Sequence, residues 1–205
     1  MVLLIAAAYA GWRWGPQVFP RVHEWLGVDG QGTTEERFFS QELADSVMSS
    51  VQVFHSGDGP DQLSLGAEEL TSVLRYSISD LIPDGVADPE VTLKDGRIHF
   101  RSRVALTAFP ELPDLGPILG MLPDTLDVTL EASLMAFGDR EVGLLVHRVE
   151  ASRIPLPGRL IPEILDAMGR EPRSGLPPEA LLFPLPRGMG SAYILTDSLI
   201  ISRNP

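Results

Sequence analysis

The chain has 205 residues and a formal net charge of −12, from 16 basic against 28 acidic residues, and it contains no cysteine. Its length predicts one domain, or one domain with an appendage, large enough to bury a core without disulfides. The acidic balance argues against nucleic acid as a partner, because that binding depends on clustered Lys and Arg. Without cysteine, disulfides and thiolate metal sites are excluded.

Ten apolar residues open the chain, and all three tryptophans follow at positions 12, 14 and 25. A helix of about twelve residues covers roughly 18 Å, which is shorter than the ~30 Å hydrocarbon core of a bilayer. Tryptophan is enriched at membrane interfaces, so the cluster favours a nearby membrane segment. We expect residues 1–32 to be a membrane anchor or export signal with a connector, and residues 33–205 to form a single domain. The alternative is a buried amino-terminal helix of a soluble protein.

Helical periodicity predicts three helices within that domain. The first begins near Thr33, because Thr33 and Glu36 have the spacing of a capping box. Its apolar positions are Phe38, Phe39, Leu43, Val47 and Val51. The second helix covers residues 67–79, and its apolar stripe is Leu70, Val73, Leu74 and Ile78. The third covers residues 159–168, and its apolar positions are Leu160, Ile161, Ile164 and Leu165.

Alternation of apolar and polar residues predicts three long, half-buried antiparallel strands at 97–109, 125–137 and 141–153. Thirteen residues at about 3.3 Å each reach roughly 43 Å, about twice the length of a common strand. The apolar parity of the third strand changes partway, and a β-bulge near His147 and Arg148 would restore it. The polar parity carries charges of both signs and predicts a solvated outer face.

Shorter strands are predicted on both sides of these three. Residues 86–94 contain Pro89, which predicts an edge or bulged strand. Asp95 and Gly96 then form a two-residue hairpin turn, since both tolerate positive φ. Residues 192–195 and 199–202 form a closing hairpin, reached through a Gly/Pro-rich crossover at 169–188.

These elements predict an α+β fold in which one long, strongly curved antiparallel sheet wraps short helices. Strands of this length around slender helices would leave voids, which packed interiors rarely tolerate, and a lipid chain could fill the space. Each buried CH₂ contributes about 0.8 kcal/mol. An ordinary filled core is the alternative. The predicted lining of the cavity is Leu70, Val73, Leu74, Ile98, Phe100, Val104, Leu115, Ile118, Leu119, Leu126, Val128, Leu130, Leu160, Ile164 and Leu165.

Motifs that would indicate catalysis or cofactor binding are missing from the sequence. There is no P-loop, no GxGxxG after a strand, no HExxH and no GxSxG. The four histidines lie far apart in sequence, at positions 23, 55, 99 and 147. We therefore expect no catalytic residue, no metal site and no cofactor.

Three segments resemble bacterial envelope proteins of the LmeA-like and YpmS-like families. Residues 63–75, LSLGAEELTSVLR, are similar to the helix that opens those domains, and residues 85–98 are similar to their hairpin. Residues 153–157, RIPLP, precede a short amphipathic helix in the same way. The resemblance covers about residues 63–203. It implies an elongated, tubular lipid-binding (TULIP-like) fold, anchored to or exported across a bacterial membrane, that binds phospholipid or isoprenoid chains without catalysis.

The expected function is therefore non-catalytic binding of phospholipid or another acyl or isoprenoid lipid, with transfer as an extension, on the extracytoplasmic side of a bacterial envelope. The expected partners are the lipid and, through the amino-terminal segment, a membrane. A membrane-tethered scaffold or assembly factor is the alternative, and it predicts an exposed apolar patch around residues 112–122 or 181–185. An enzyme acting on lipid or glycan substrates is a third hypothesis, against which the lack of site motifs argues.

Overall fold

The structure is a computed structural model that describes residues 39–57, 59–108, 123–138, 140–167, 170–186 and 188–203. Within those ranges the chain forms three α-helices and nine strands. The helices are α1 (Gln41–Ser56), α2 (Ala67–Ser72) and α3 (Leu160–Ala167). The strands are β1 (Gln62–Gly66), β2 (Val86–Lys94), β3 (Arg97–Ala105), β4 (Thr125–Phe137), β5 (Glu141–Ala151), β6 (Ile154–Pro155), β7 (Ala180–Pro184), β8 (Met189–Leu195) and β9 (Ser198–Arg203).

The strands form two antiparallel sheets. The larger sheet has the order β2-β3-β4-β5, with β6 and β7 pairing with different parts of β5, and it is open. The smaller sheet has the order β1-β9-β8. The predicted α+β class is confirmed, but the prediction of one sheet is wrong. The closing hairpin pairs with β1, a five-residue strand too short to show a period-two signal beside its turn-rich flank.

Helix α1 begins later than the sequence predicted. Ser40 is the N-cap, and its hydroxyl accepts a hydrogen bond from the backbone N–H of Leu43 at 3.1 Å. Ser40 itself has an extended backbone, so α1 starts at Gln41, and the predicted capping residues Thr33 and Glu36 lie outside the described residues. The helix ends at Gly57, whose φ of 90° is the left-handed conformation that glycine adopts readily.

The second helix begins at Ala67, as predicted, but it is a regular α-helix only as far as Ser72. A π turn (Val73–Ser77) follows α2, and the N–H of Ile78 bonds to the carbonyl of Val73 at 3.1 Å. At the start of α2 the Glu69 carboxylate accepts from the Gly66 N–H at 2.6 Å. The π turn rotates the side chains after Ser72 relative to a regular helix, which a 3.6-residue pattern does not indicate.

The edge prediction for β2 is confirmed. Strand β2 is the first strand of the larger sheet, and its register with β3 shifts between Ala87 and Glu90. Asp88 and Pro89 therefore occupy a bulge opposite β3, and Asp88 has a φ of 49°. The turn of Asp95 and Gly96 has φ values of 52° and 75°, as a type I′ hairpin requires.

The long strands are confirmed in place, and two of them are shorter than predicted. Strand β3 ends at Ala105, because Leu106 begins a 3-10 turn and its N–H bonds to the carbonyl of Asp124 at 2.9 Å. Strand β5 ends at Ala151, because Ser152 and Arg153 have φ values of 50° and 70°. Strand β4 has the predicted thirteen residues.

The predicted bulge in β5 is also confirmed. Glu131 of β4 pairs with Arg148, and the next residue, Ala132, pairs with Val146, which leaves His147 as the extra residue. All five apolar residues of β5 that the bulge was expected to align are buried. They are Val142, Leu144, Val146, Val149 and Ala151.

Two hydrophobic clusters cover the same side of the larger sheet, which we call the inner face. The main cluster joins α1, α2 and both sheets. Its buried members are Ala44, Val47, Val51, Phe54, Leu65, Leu70, Val73, Leu74, Ile78, Val91, Leu93, Ile98, Ala132, Val142, Leu144, Phe183, Leu185, Met189, Ala192, Leu199 and Ile201. The α3 cluster is smaller, and its buried members are Val146, Val149, Ile161 and Leu165. Part of the predicted crossover is therefore wrong, since β7 pairs with β5 and brings Phe183 and Leu185 into the core.

The opposite, outer face of the larger sheet carries charged side chains, as predicted. Arg97 is bonded to Glu131, and Arg101 lies 3.7 Å from Asp127. The hydrogen bond from Arg97 lowers the pKa of the Glu131 carboxyl, burial acts in the opposite direction, and the charges of Arg97, His99 and His147 lower it further.

Candidate functional site

Several apolar side chains on the inner face are only partly buried, among them Phe100, Val104, Val128 and Leu130. We call these four the apolar strip. Phe100 lies directly opposite Leu130, and the next inner-face position along β4 is Val128. Phe100 and Leu130 also contact the main cluster, whereas Val128 and Leu130 contact the α3 cluster. Phe100, Val128 and Leu130 therefore lie between the two packed regions of the core, and Val104 lies two residues beyond Ser102 on β3, opposite Leu126.

The predicted cavity residues divide into three groups. Those that the structure buries are Leu70, Val73, Leu74, Ile98, Leu126, Leu160 and Leu165. Those that remain partly exposed are Phe100, Val104, Val128, Leu130 and Ile164. Those that lie outside the described residues are Leu115, Ile118 and Leu119. The first group is packed core, so of the predicted cavity residues that the structure describes, the second group is the one that offers surface to a ligand.

A groove of about 420 Å³ adjoins this strip. We call it the arginine groove. Its lining residues are Leu74, Arg75, Tyr76, Ser79, Ile82, Pro83, Asp84, Gly85, Val86, Asp88 and Pro89. Val86 lies directly opposite Val104, a member of the strip, so the groove and the strip meet at the β2–β3 pair.

Two irregular pieces of backbone build the arginine groove, namely the π turn after α2 and the bulge in β2. Arg75 connects them, because its Nε donates a hydrogen bond to the Pro89 carbonyl at 2.8 Å. Thr71, which is fully buried, accepts a hydrogen bond from the Val91 N–H at 2.9 Å. The free edge of β2 is thus covered by two side chains of the α2 segment, which satisfies backbone groups that an edge strand would otherwise expose.

Gly85 closes the groove against β3. Its carbonyl accepts a hydrogen bond from the Ala105 N–H at 2.7 Å, and its φ is 92°. A Cβ at this position would collide with the side chain of Ala108. Both the backbone conformation and the close approach therefore require glycine here.

The charged groups of the arginine groove are not all paired with one another. Asp88 is bonded to Arg103, which lies on β3. The Arg75 guanidinium lies over the Phe39 ring, 4.7 Å from its centroid, and no ion pair within the described part of the chain includes it. Arg75 is partly buried, and the hydroxyl-bearing Tyr76 and Ser79 beside it are exposed. The groove therefore holds a fixed cation that forms no ion pair with a carboxylate of the described residues.

A second groove, of about 510 Å³, lies along the exposed side of α1. It is lined by residues of that helix alone, from Asp45 to His55. Met48, one of its lining residues, is 39% exposed. Among the described residues no second element brings polar groups to this side of the helix, so the described lining offers no site chemistry.

One further pair of polar side chains lies close together on the outer face. The Ser133 hydroxyl is 2.8 Å from Nε2 of His147, and the pair is exposed to solvent on a sheet surface. Within the described ranges there is no group of three or more His, Asp or Glu residues that could hold a metal ion. None of the helices described is both long and apolar enough to cross a membrane.

Sequence reasoning missed Arg75 and Val86 as site residues. Arg75 sits in a segment whose helical pattern gave no sign of a π turn. The one available signal was Pro89, which predicted a bulge in the strand. A backbone carbonyl in a bulge is not paired with the neighbouring strand, so it needs a hydrogen-bond donor from elsewhere.

Comparison with known proteins gives no relationship from which to read the site. The chain matches no family model, and no curated protein and no solved structure is significantly similar to it.

Proposed function

We propose that this protein binds a phospholipid or another acyl or isoprenoid lipid, without catalysis, along the apolar strip. The observation that carries the proposal is the position of the strip. Phe100, Val104, Val128 and Leu130 lie on a sheet face whose two ends are packed, yet these four side chains retain exposed surface. Contiguous apolar surface rimmed by polar groups is typical of ligand-binding grooves.

The strip fits weak, reversible binding of an alkyl chain. A chain that buries about eight CH₂ groups gains ~6 kcal/mol before the costs of association are subtracted. That upper figure corresponds to a dissociation constant of tens of micromolar or weaker, so the chain would be exchanged and not retained. Binding of this strength suits a carrier or a lipid-dependent envelope factor.

The proposed location is the extracytoplasmic side of a bacterial envelope. Two sequence features support it, namely the apolar run with its tryptophans in residues 1–32 and the resemblance of residues 63–203 to LmeA-like and YpmS-like envelope proteins. The same resemblance supports a tubular, TULIP-like arrangement of the domain.

Binding can be tested with the full chain, by titrating a fluorescent fatty acid and by native mass spectrometry of protein purified under gentle conditions. We expect saturable binding that Val128→Asn weakens at least tenfold, because it places an amide on the strip. Leu195→Asn is the matched control, since Leu195 is 60% exposed on the smaller sheet. Thermal unfolding of each variant checks that it is folded.

Either of two results would overturn the proposal. One is a wild-type protein that binds no fatty acid at millimolar concentration. The other is a folded Val128→Asn variant that binds as tightly as Leu195→Asn.

A second candidate function is that of a membrane-tethered scaffold or assembly factor that binds a protein partner. One part of the smaller sheet favours it, because Tyr193 and Leu195 on strand β8 are 39% and 60% exposed. In the patch expected at residues 181–185, Phe183 and Leu185 are buried, Leu181 and Leu182 are partly buried and Pro184 is exposed, so no continuous exposed apolar surface forms there. Residues 112–122 lie outside the described residues. This candidate predicts that Leu195→Asn impairs cellular function while lipid binding is unchanged.

A further inference from the structure

The arginine groove joins the apolar strip at its β2 end, and the two differ in chemistry. The strip is formed by hydrocarbon side chains, whereas the groove presents the Arg75 guanidinium, two hydroxyl-bearing residues and two carboxylates, Asp84 and Asp88. An amphiphile laid across both would place its chain over Val104 and its polar end beside Arg75. That arrangement follows from the register, because Val86 of the groove is directly opposite Val104 of the strip.

Arg75 is held in place before any ligand arrives. Its Nε is engaged by the Pro89 carbonyl at 2.8 Å, and the Phe39 ring lies against the flat guanidinium. An arginine has five N–H donors, so the two terminal nitrogens keep four of them. No hydrogen bond within the described part of the chain uses those four. A guanidinium fixed through Nε presents its terminal nitrogens as a planar fork, which matches two oxygens of a phosphate or carboxylate.

Two carboxylates line the groove beside Arg75, and in the described part of the chain neither of them forms an ion pair with it. Asp88, which lines the groove beside Pro89, is bonded to Arg103. Asp84 is exposed, in the turn that leads to Gly85. Tyr76, at 42% exposure, and Ser79 add hydroxyl groups that can donate to an oxyanion. A π turn and a bulge both occur frequently at functional sites, and here they meet at this one side chain.

We infer that the arginine groove binds the phosphate of a lipid headgroup, with Arg75 as the anion-binding residue, while the acyl chain lies on the apolar strip. This inference rests on the proposed lipid binding. It selects phosphate-bearing lipids over neutral ones with the same chain.

The test compares three probes on the full chain by isothermal titration calorimetry below their micellar concentrations: lysophosphatidic acid, a monoacylglycerol of the same chain length, and inorganic phosphate. We expect wild-type protein to bind lysophosphatidic acid about tenfold more tightly than the monoacylglycerol, as one charge-assisted bidentate contact provides. In Arg75→Gln that preference should disappear, with monoacylglycerol affinity unchanged. The unchanged neutral ligand also shows that the variant is folded.

The matched control is Arg101→Gln. It removes the same charge from the outer face, where the Arg101 side chain is 62% exposed. It should keep the full preference for the phosphate-bearing probe. Arg75→Lys should retain part of it, because lysine keeps the charge but not the planar fork.

The possible outcomes distinguish failure of the headgroup site from failure of the proposed lipid binding. If neither acyl probe binds, the proposed function fails and the inference fails with it. If both bind and Arg75→Gln leaves their ratio unchanged, only the inference is overturned. If inorganic phosphate alone binds as tightly as lysophosphatidic acid and depends on Arg75, the groove is a free-phosphate site and the lipid headgroup assignment is wrong.

Discussion

The two ends of the inner face are covered in different ways. At one end the sixteen-residue helix α1, helix α2 and the smaller sheet pack on the larger sheet, and the buried side chains of the main cluster are at most 9% exposed. At the other end the eight-residue helix α3 supplies two of the four buried residues, Ile161 and Leu165. Side chains beside α3, such as Val128 and Leu130, remain partly exposed.

The densely packed end provides stability, whereas the thinly covered end provides the surface for the proposed binding. A region packed by two layers cannot admit a ligand without losing close contacts, and interiors of that density resist rearrangement. A region covered by one short helix gains less from packing and leaves apolar surface at its margin. The site proposed here lies at that margin, where a ligand replaces water and not protein atoms.

The largest expected effect tests the main cluster. Leu65, which is 1% exposed on β1, contacts the helices and the smaller sheet. Leu65→Ala removes three methyl or methylene groups and leaves a cavity, so we expect the free energy of unfolding to fall by about 2–5 kcal/mol. Urea denaturation followed by circular dichroism measures it. Leu195→Ala makes the same chemical change at 60% exposure and should cost less than ~0.5 kcal/mol; equal losses would refute the assignment of the core.

The second prediction concerns a Leu→Ala substitution in the α3 cluster, at the other end of the inner face. Leu165 is 2% exposed in α3 and belongs to the α3 cluster, which has four buried members, so Leu165→Ala removes fewer packing contacts than a deletion in the main cluster. We expect a loss of about 2 kcal/mol, at the lower end for a buried leucine. Hydrogen exchange should show amides of α3 opening faster while those of α1 keep their protection, because weakly covered elements open locally. If the α1 amides were affected as strongly, the two ends would form one cooperative unit and our comparison would be wrong.

The sequence predicted the larger sheet well because its signals are local. The bulge at His147 followed from a change of parity, and the edge position of β2 followed from Pro89. Strands β1 and β7 were missed because their pairing partners lie far along the chain, and five residues carry too little periodicity to reveal a strand. The length of β3 was overestimated, since Leu106 and Ala108 continue the alternation although the backbone has already turned.

The candidate site was less predictable than the sheet. Parity identified Phe100, Val104, Val128 and Leu130 as inner-face residues, but it assigned the same role to the buried residues Ile98 and Leu126. Exposure depends on what covers each position, and period-two patterns carry no information on that. Arg75 became a candidate only through contacts with Phe39 and Pro89, which depend on the π turn.

The third prediction concerns how α2 holds the edge of the larger sheet. Thr71→Val keeps the shape of a fully buried side chain but leaves the Val91 N–H, 2.9 Å from the lost oxygen, without its acceptor. We expect a loss of about 1–2 kcal/mol in the free energy of unfolding, the cost of an unsatisfied buried donor. Thr107→Val, at an exposed position, is the control and should change stability by less than ~0.5 kcal/mol. A Thr71→Val variant as stable as its control would show that the edge of β2 has another donor or acceptor in reach.

The smallest effect on the free energy of unfolding is expected on the outer face. There, solvent screens the charges, and the residues do not pack against either hydrophobic cluster. The pKa of Glu131 is lowered mainly by the hydrogen bond from Arg97. A depressed folded-state pKa stabilises the protein above the unfolded value, near pH 4.3, and that contribution disappears as the pH falls through the folded pKa. With side chains 48% and 22% exposed, the pair should contribute less than ~1 kcal/mol.

Carboxyl NMR titration of the wild type and of Arg97→Gln measures this shift directly. In the variant the midpoint of Glu131 should move up towards the usual value for glutamate, while stability above pH 6 changes by less than the Thr71→Val loss. A wild-type midpoint at the usual value would show that the pair does not persist in solution. If the free energy of unfolding fell as much in Arg97→Gln as in Leu165→Ala, the outer face would stabilise the sheet as strongly as the α3 cluster does. Packing on the inner face would then not explain the difference in stability between the two ends.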